Sequence, residues 1–479
     1  MQFKQLSVSQ KIFIFFRKKE KIMFSKTKKI AGVALAAAMV VTAFAGCGGG
    51  SDNSSSGSGS SSGSGSSASS KQEVKAITVD EMLKDADLAL GDEGKNEQVS
   101  LKVWAPSDAL ETFQEQCKAF TDNFSDRKIK IEVVAQGESD AAANVMNDPS
   151  AAADVFGYVS DQASKLYPGG YVSPVRAQYA AAIKETNLQG AIDVATHENN
   201  LVAFPETGDN GYFVYYNKSL VTDEQIKSME GIMEACDKQD MNFIMYMGDG
   251  YYGCVIPLTA GGTYELNDKG NQVLNYDKDK VVKTAKAFAD LLANNPHFVD
   301  DDINKVLASQ LRVQKSTGKP KALGGVCGTW KLKSVQKALG DNFACAKLPT
   351  IKIDGKDTDM ISMFGYKLIG VNSNTKYPYT AQALAYYLSG EKCQQERMDK
   401  LGWGPSITKM VESDAVKNDP CLKAVYEQQA HSIPQIGLAG SFWDPTAAFG
   451  SYCVEKKNDL SEKGIGKAYD DMVKSITAV

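Results

Sequence analysis

The chain has 479 residues, 43% of them hydrophobic and 23% charged, which is more than one compact domain usually holds and enough to bury two cores. Lys and Arg number 53 against 58 acidic residues, a formal net charge of −5, so the basic footprint that nucleic acid demands is absent. The three histidines (His197, His297, His431) are far apart, and with no HExxH, paired CxxC or GxxxxGK[ST] the common zinc and phosphate-loop chemistries are excluded.

In chain order, Lys26, Lys28 and Lys29 form a positive segment ahead of the apolar run 30–45, which Gly46 and Cys47 close. This reads as an export signal over residues 1–46; the run is short of the roughly 20 apolar residues of a membrane span. Residues 1–22 do not fit a short positive lead, which points to a start at Met23. Phe44-Ala45-Gly46-Cys47 resembles the lipobox of bacterial lipoproteins, in which the Cys thiol receives a diacylglycerol and becomes the mature N-terminus. Cys47 is therefore the expected lipidation site and the lipid anchor to the outer face of the cell membrane. Removing residues 1–46 takes nine basic residues and one acidic one, leaving 44 against 57 and a net of −13.

From Gly48 to Ser70, twenty of 23 residues are Gly or Ser, too polar and too free to bury a core. With Cys47 this stretch is a tether, residues 47–70, with a reach of about 25 to 30 Å. Residues 71–97 read as a short helical or disordered lead-in. Thr78-Val-Asp-Glu81 has the spacing of a capping box, with Ile77 and Met82 placed as a staple and Gly91 as a stop, so one short helix is predicted.

The body then alternates. Val99 to Trp104 has period-two hydrophobicity, Leu110, Phe113, Cys117 and Phe120 recur at helical spacing, and Ile129 to Val134 alternates again, which makes a βαβ unit. Asp154-Val-Phe156, Leu201 to Pro205, Ala322 to Trp330, Phe343 to Pro349, Phe364 to Val371, the helix Tyr379 to Leu388 and a largely helical C-terminus keep the rhythm. Parallel sheets covered on both faces follow, with ligands bound beyond the carboxyl ends of the strands. The eight cysteines after Cys47 (117, 236, 254, 327, 345, 393, 421 and 453) are scattered, so no metal cluster is expected, and their spacing assigns no disulfide pairing. Tyr215-Tyr216 has the phenolates that suit Fe(III), yet neighbours on a strand face opposite ways and no histidine is close in sequence, so no metal or other cofactor is expected.

Leu101-Lys-Val-Trp104, Ala153-Asp-Val-Phe156, Gly170-Tyr-Val-Ser-Pro174, Ala203-Phe-Pro205, Tyr216-Asn-Lys218, Gly328-Thr-Trp330, Lys347-Leu-Pro349, Gly402-Trp-Gly-Pro-Ser406 and Ser441-Phe-Trp443 stand in one order along the chain. In that order the chain resembles the extracellular solute-binding proteins of sugar importers, and within them the maltose and maltodextrin branch. The resemblance implies an α/β fold of the two-lobe, type II periplasmic-binding-protein kind, with a cleft between lobes joined by three chain crossings. One lobe would comprise residues 98–208 with 363–405, the other 209–362 with 406–479. It further implies a monomer that closes on an oligosaccharide and delivers it to the permease subunits of an ABC transporter, and a binding protein rather than an enzyme.

A sugar presents flat C–H faces that pack on aromatic rings and hydroxyls that pair best with carboxylates. The resemblance places such groups at Asp108 beyond the first strand, and at Tyr158 and Asp161 beyond Asp-Val-Phe. It also places them at Asp209 or Asn210 before Tyr-Asn-Lys, at Asp249 with either Tyr251 or Tyr252, and at Trp330 and Trp443. Trp104 and Trp403 are expected to pack at the hinge. Ordinary uses compete: Asp108 as a helix N-terminal charge, Asp161 as a solvated loop acid, and the tryptophans as a buried lobe interface. A glycoside hydrolase would need a carboxyl pair about 5 to 10 Å apart, and a structural surface lipoprotein would need no closing cleft.

Overall fold

The computed structural model of the protein describes residues 74–478; the expected signal segment 1–46, Cys47 and the tether 47–70 lie outside the described residues. The described chain opens on two short helices instead of one, α1 (Val79–Leu83) and α2 (Ala86–Leu90). The capping box forms: the Glu81 amide donates to Thr78 Oγ1, and the Thr78 amide donates to the Glu81 carboxylate at 2.8 Å. Asp85 accepts from the Leu88 amide and starts the second helix, an N-cap that divides the expected single element. Gly91 ends it at a φ of 57°. Met82, Ala89 and Leu90 are buried, and the Tyr386 hydroxyl donates to the Ile77 carbonyl, so the lead-in is packed onto the body.

The first sheet begins with β1 (Val99–Ala105), α3 (Leu110–Asn123), β2 (Ile129–Ala135), β3 (Val155–Val159) and β4 (Phe204–Asn210). The apolar stripe of α3 buries Phe113, Cys117 and Phe120, as its spacing requires. The chain then passes to a second sheet through β5 (Phe213–Asn217), β6 (Asn242–Ile244), the short helix α4 (Gly250–Gly253), β7 (Phe298–Val299), β8 (Ala322–Cys327) and β9 (Phe343–Ala346). It returns to the first sheet on β10 (Ser362–Val371), buried along its whole length, and continues through α5 (Pro378–Leu388) and α6 (Glu391–Leu401). Last come α7 (Pro420–Gln429), β11 (Ser432–Pro434), α8 (Trp443–Val454) and α9 (Glu462–Thr477).

The first sheet has the order β11-β10-β3-β1-β2, with β4 also paired to β10; the second has the order β7-β6-β8-β5-β9. Neither is wholly parallel, which corrects the expectation from sequence. β1 runs parallel to β2 and β3, but β10 is antiparallel to β3 and β4. In the second sheet β6 is parallel to β7 and β8, while β5 is antiparallel to β8 and β9. The reversed strands are those by which the chain passes between sheets. They arrive directly rather than through the right-handed βαβ crossover that enforces a parallel neighbour. The result is a two-lobe α/β architecture.

Candidate functional site

A cavity of about 490 Å³ is lined by Pro106, Asp108, Glu138, Ser139, Val159, Asp161, Asn210, Asp249, Tyr251, Tyr252, Asn304, Trp330, Lys367, Trp403, Gln435 and Trp443. Pro106 and Asp108 follow β1, Glu138 follows β2 and Asp161 follows β3. Asp249 and Tyr251 follow β6, and Trp330 follows β8. These are the carboxyl ends of the parallel strands in both sheets, where strand termini leave polar backbone and loops free to meet a ligand.

Rings from α4, from the loop after β8 and from the start of α8 line the cavity. Tyr251 lies 6.4 Å from Trp330, centroid to centroid, and edge-on to Tyr212 at 4.9 Å. Its hydroxyl donates to the Asn210 carbonyl, and Trp330 Nε1 donates to Asn304 Oδ1 at 3.0 Å. Each polar handle is thus tied while ring surface stays open. Trp443 opens α8 against Phe442. Gly250 packs on its backbone, where a Cβ would stand 2.4 Å from the Trp443 carbonyl oxygen, so only glycine lets α4 approach the start of α8 this closely. Of the two adjacent tyrosines, Tyr251 keeps exposed surface, whereas Tyr252 is 2% exposed and packs on Tyr212.

Carboxylates line the same cavity. Asp108 is exposed, and Ala109, the residue that leads into α3, offers no side-chain cap. Burial pushes the Asp161 carboxyl up to about 7, partly offset by Lys165. Asp249 is also raised by burial, although its side chain accepts the Tyr251 amide at 2.8 Å. Asn210 Nδ2 donates to Gln435 Oε1 at 2.8 Å, a contact that needs Gly365 beneath it, since a Cβ there would fall 2.5 Å from Gln435 Oε1 and 3.0 Å from Asn210 Nδ2.

Beneath the rings lies a charged layer. Lys367, 5% exposed, pairs with Glu138 at 2.7 Å and holds its ammonium 4.1 Å from the centre of the Trp403 ring. Burial, the largest single influence, opposes the lysine's charge, but Glu138, Asp209 and Glu206 together outweigh it and the ammonium is held above its ordinary range. Glu206, 1% exposed, has no hydrogen-bond partner for either carboxylate oxygen among the described residues. Burial pushes it up to about 7; Arg397 and Lys367 oppose this, and Glu138 and Asp209 add to it.

Eight of the ten ligand-site residues expected from sequence therefore line one cavity: Asp108, Asp161, Asn210, Asp249, Tyr251, Tyr252, Trp330 and Trp443. Two do not. Tyr158 is 0% exposed and its hydroxyl meets that of Tyr167 at 2.9 Å in the core; on β3 it is Val159, one residue on and hence on the opposite face, that reaches the cavity. Asp209 is 1% exposed and spent on structure. Its Oδ2 accepts from Thr329 Oγ1 at 2.6 Å and from the Gly404 amide at 2.7 Å, joining β4, the loop after β8 and the segment after α6.

Sequence reasoning misses Glu138, Lys367, Trp403, Asn304 and Gln435 as cavity residues. A lysine inside the otherwise apolar run Met363 to Val371 is the available signal, because a buried ammonium requires a carboxylate nearby. Trp403 is buried against Phe113 of α3, with ring centroids 6.4 Å apart, and also reaches the cavity.

Residues 115–424 match the family model described as bacterial extracellular solute-binding protein. The galactooligosaccharide-binding protein of Bacillus subtilis (strain 168) is 23% identical over 367 residues, spanning 72% of this chain and 82% of that relative. Among solved structures, a chain solved with acarbose has a TM-score of 0.71 at 25% identity, covering 80% of this chain and 99% of its own. A maltodextrin-binding protein from L. casei, without ligand, has a TM-score of 0.66 at 24% identity, covering 80% of this chain and 100% of its own. The family match spans well over half the sequence, and with the two-sheet architecture and the cavity at the strand ends it shows that the chain belongs to the bacterial extracellular solute-binding proteins.

Proposed function

We propose that the protein captures an oligosaccharide, a maltodextrin-type α-1,4-glucan, in the cavity between its lobes and delivers it to the permease subunits of an ABC transporter. The observation that carries this reading is the pairing of Tyr251, Trp330 and Trp443 on one wall with Asp108 and Asp161 on the other. Rings take the apolar sugar faces and carboxylates take the hydroxyls. The lobes we assign are residues 98–208 with 363–405 and 209–362 with 406–479. A sugar that bridges them favours the closed form, since only that form satisfies both halves of the site. The protein acts as a monomer and binds without catalysis.

Calorimetry with maltotriose and maltotetraose tests the proposal, with an expected dissociation constant in the micromolar range, about −8 kcal/mol. Sugar recovered unchanged after prolonged incubation separates binding from hydrolysis. A second reading, capture of a galactooligosaccharide, is favoured by the Bacillus subtilis relative. Binding of that sugar alone would replace the first reading.

The protein reaches its place of work through the lipid on Cys47. Replacement of Cys47 by Ser is expected to release the chain into the medium or to leave it unprocessed. Membrane fractionation with mass measurement of the N-terminus checks this, and unchanged retention of a correctly processed Cys47→Ser chain would remove the anchor.

A further inference from the structure

The eight cysteines beyond Cys47 are free thiols in the described structure, and most are single residues filling core space. Cys345 and Cys421 differ: their sulfurs stand 2.8 Å apart. Cys345 is on β9, the edge strand of the second sheet, where it pairs with Tyr215 of β5. Cys421 is in the first turn of α7, a helix placed by Asp419, whose carboxylate accepts the amides of both Cys421 and Leu422 at 2.9 Å. Both backbones are therefore fixed by regular structure, and the two side chains point at each other across the β9–α7 contact.

We propose that Cys345 and Cys421 form a disulfide in the exported protein. The pair closes a loop of 76 positions, and that loop is the chain's excursion into the first lobe: out along β10, through α5 and α6, and back through residues 402–406. A bond here fastens the outgoing and returning crossings together at the second sheet. It removes conformational freedom from the unfolded chain over a long loop, the case in which a cross-link stabilises most. The site is also readable chemically. Cys421 is 1% exposed and Cys345 half-buried, and burial together with the neighbouring thiol holds Cys345 well above the ordinary thiol range. Cys345 is thus a poor nucleophile once folded and Cys421 is closed off from solvent, so the bond forms while the chain folds outside the cytoplasm. In that step a thiolate of the pair attacks an exogenous small-molecule disulfide of the glutathione class, breaking its S–S bond and releasing one small thiolate, and the second thiolate attacks the protein sulfur of the resulting mixed disulfide and expels the other. Two S–H bonds are lost, one Sγ–Sγ bond forms, and the two electrons and two protons leave as two reduced thiols.

Full-length chain without its signal segment, refolded in a mixture of reduced and oxidised glutathione, is alkylated under denaturing conditions and digested. A peptide pair joined through Cys345 and Cys421 is expected, with the other cysteines alkylated. Oxidised protein should melt several degrees above the same protein treated with dithiothreitol, and the Cys345→Ser, Cys421→Ser double variant should show no dithiothreitol effect. Should the double variant fail to fold, the wild-type peptide map alone decides. Quantitative alkylation of both cysteines, or cross-linking of either to a different cysteine, would overturn the proposal. Sugar affinity is measured in parallel: a protein that carries the bond but binds no oligosaccharide leaves the disulfide standing and removes the functional reading.

Discussion

Trp330→Ala and Trp443→Ala are each expected to weaken maltodextrin binding by about 1 to 3 kcal/mol, roughly 5- to 150-fold, and to leave the melting temperature of the unliganded protein nearly unchanged. Both rings are only partly buried and both line the cavity, so in the absence of sugar each removal leaves an enlarged, solvated pocket rather than a void in a packed core. A core tryptophan would cost about 3 to 5 kcal/mol of folding free energy on the same replacement, which the melt would register. Asp108→Ala and Asp161→Ala should likewise impair binding and spare folding. Titration calorimetry and a thermal melt on the same four variants separate the two kinds of role. Unaltered affinity in all four would remove this cavity as the sugar site.

Raising the pH is expected to destabilise the unliganded protein, and Glu206→Gln is expected to blunt that loss. In the folded chain Glu206 titrates near 7, against an ordinary value of 4.5. Below about 4.5 both folded and unfolded chains carry the proton, and the group costs nothing. Between there and 7 the unfolded chain releases its proton while the folded chain keeps it, so stability falls as pH rises, and above 7 the loss is complete. At about 1.4 kcal/mol per unit of displacement, the loss is on the order of 3 to 4 kcal/mol at pH 8. A carboxamide carries no charge at any pH, so the Glu206→Gln variant should match wild type near pH 4 and exceed it at pH 8. Asp161, displaced in the same direction, leaves a residual slope in Glu206→Gln. Melting curves from pH 4 to pH 8 decide it, and parallel curves for the two proteins would mean that Glu206 is ionised throughout.

The parts of the site legible in the sequence are those that depend on local order. Asp108, Asp161 and Trp330 lie just past strands whose apolar pattern is plain, and the end of a parallel strand is where a ligand is met. Tyr158 shows the limit of reasoning by offset: a strand alternates faces with every residue, so a displacement of one position exchanges cavity for core. Gln435 is out of reach for another reason. It meets Asn210 across 225 positions of chain, and no local pattern encodes such an encounter. Asp209 and Asn210 are equals in the sequence because both are polar and adjacent; what separates them is that Thr329 and Gly404 converge on one and not the other. The antiparallel run of β10 is equally hidden, since a buried strand reads the same in either direction.

The knot at Asp209 also bears on the cavity. Thr329, which it grips, is one peptide away from Trp330. The loop that carries the ring is thereby pinned both to β4 and to the segment after α6, so the position of Trp330 is set by three separate stretches of chain at once.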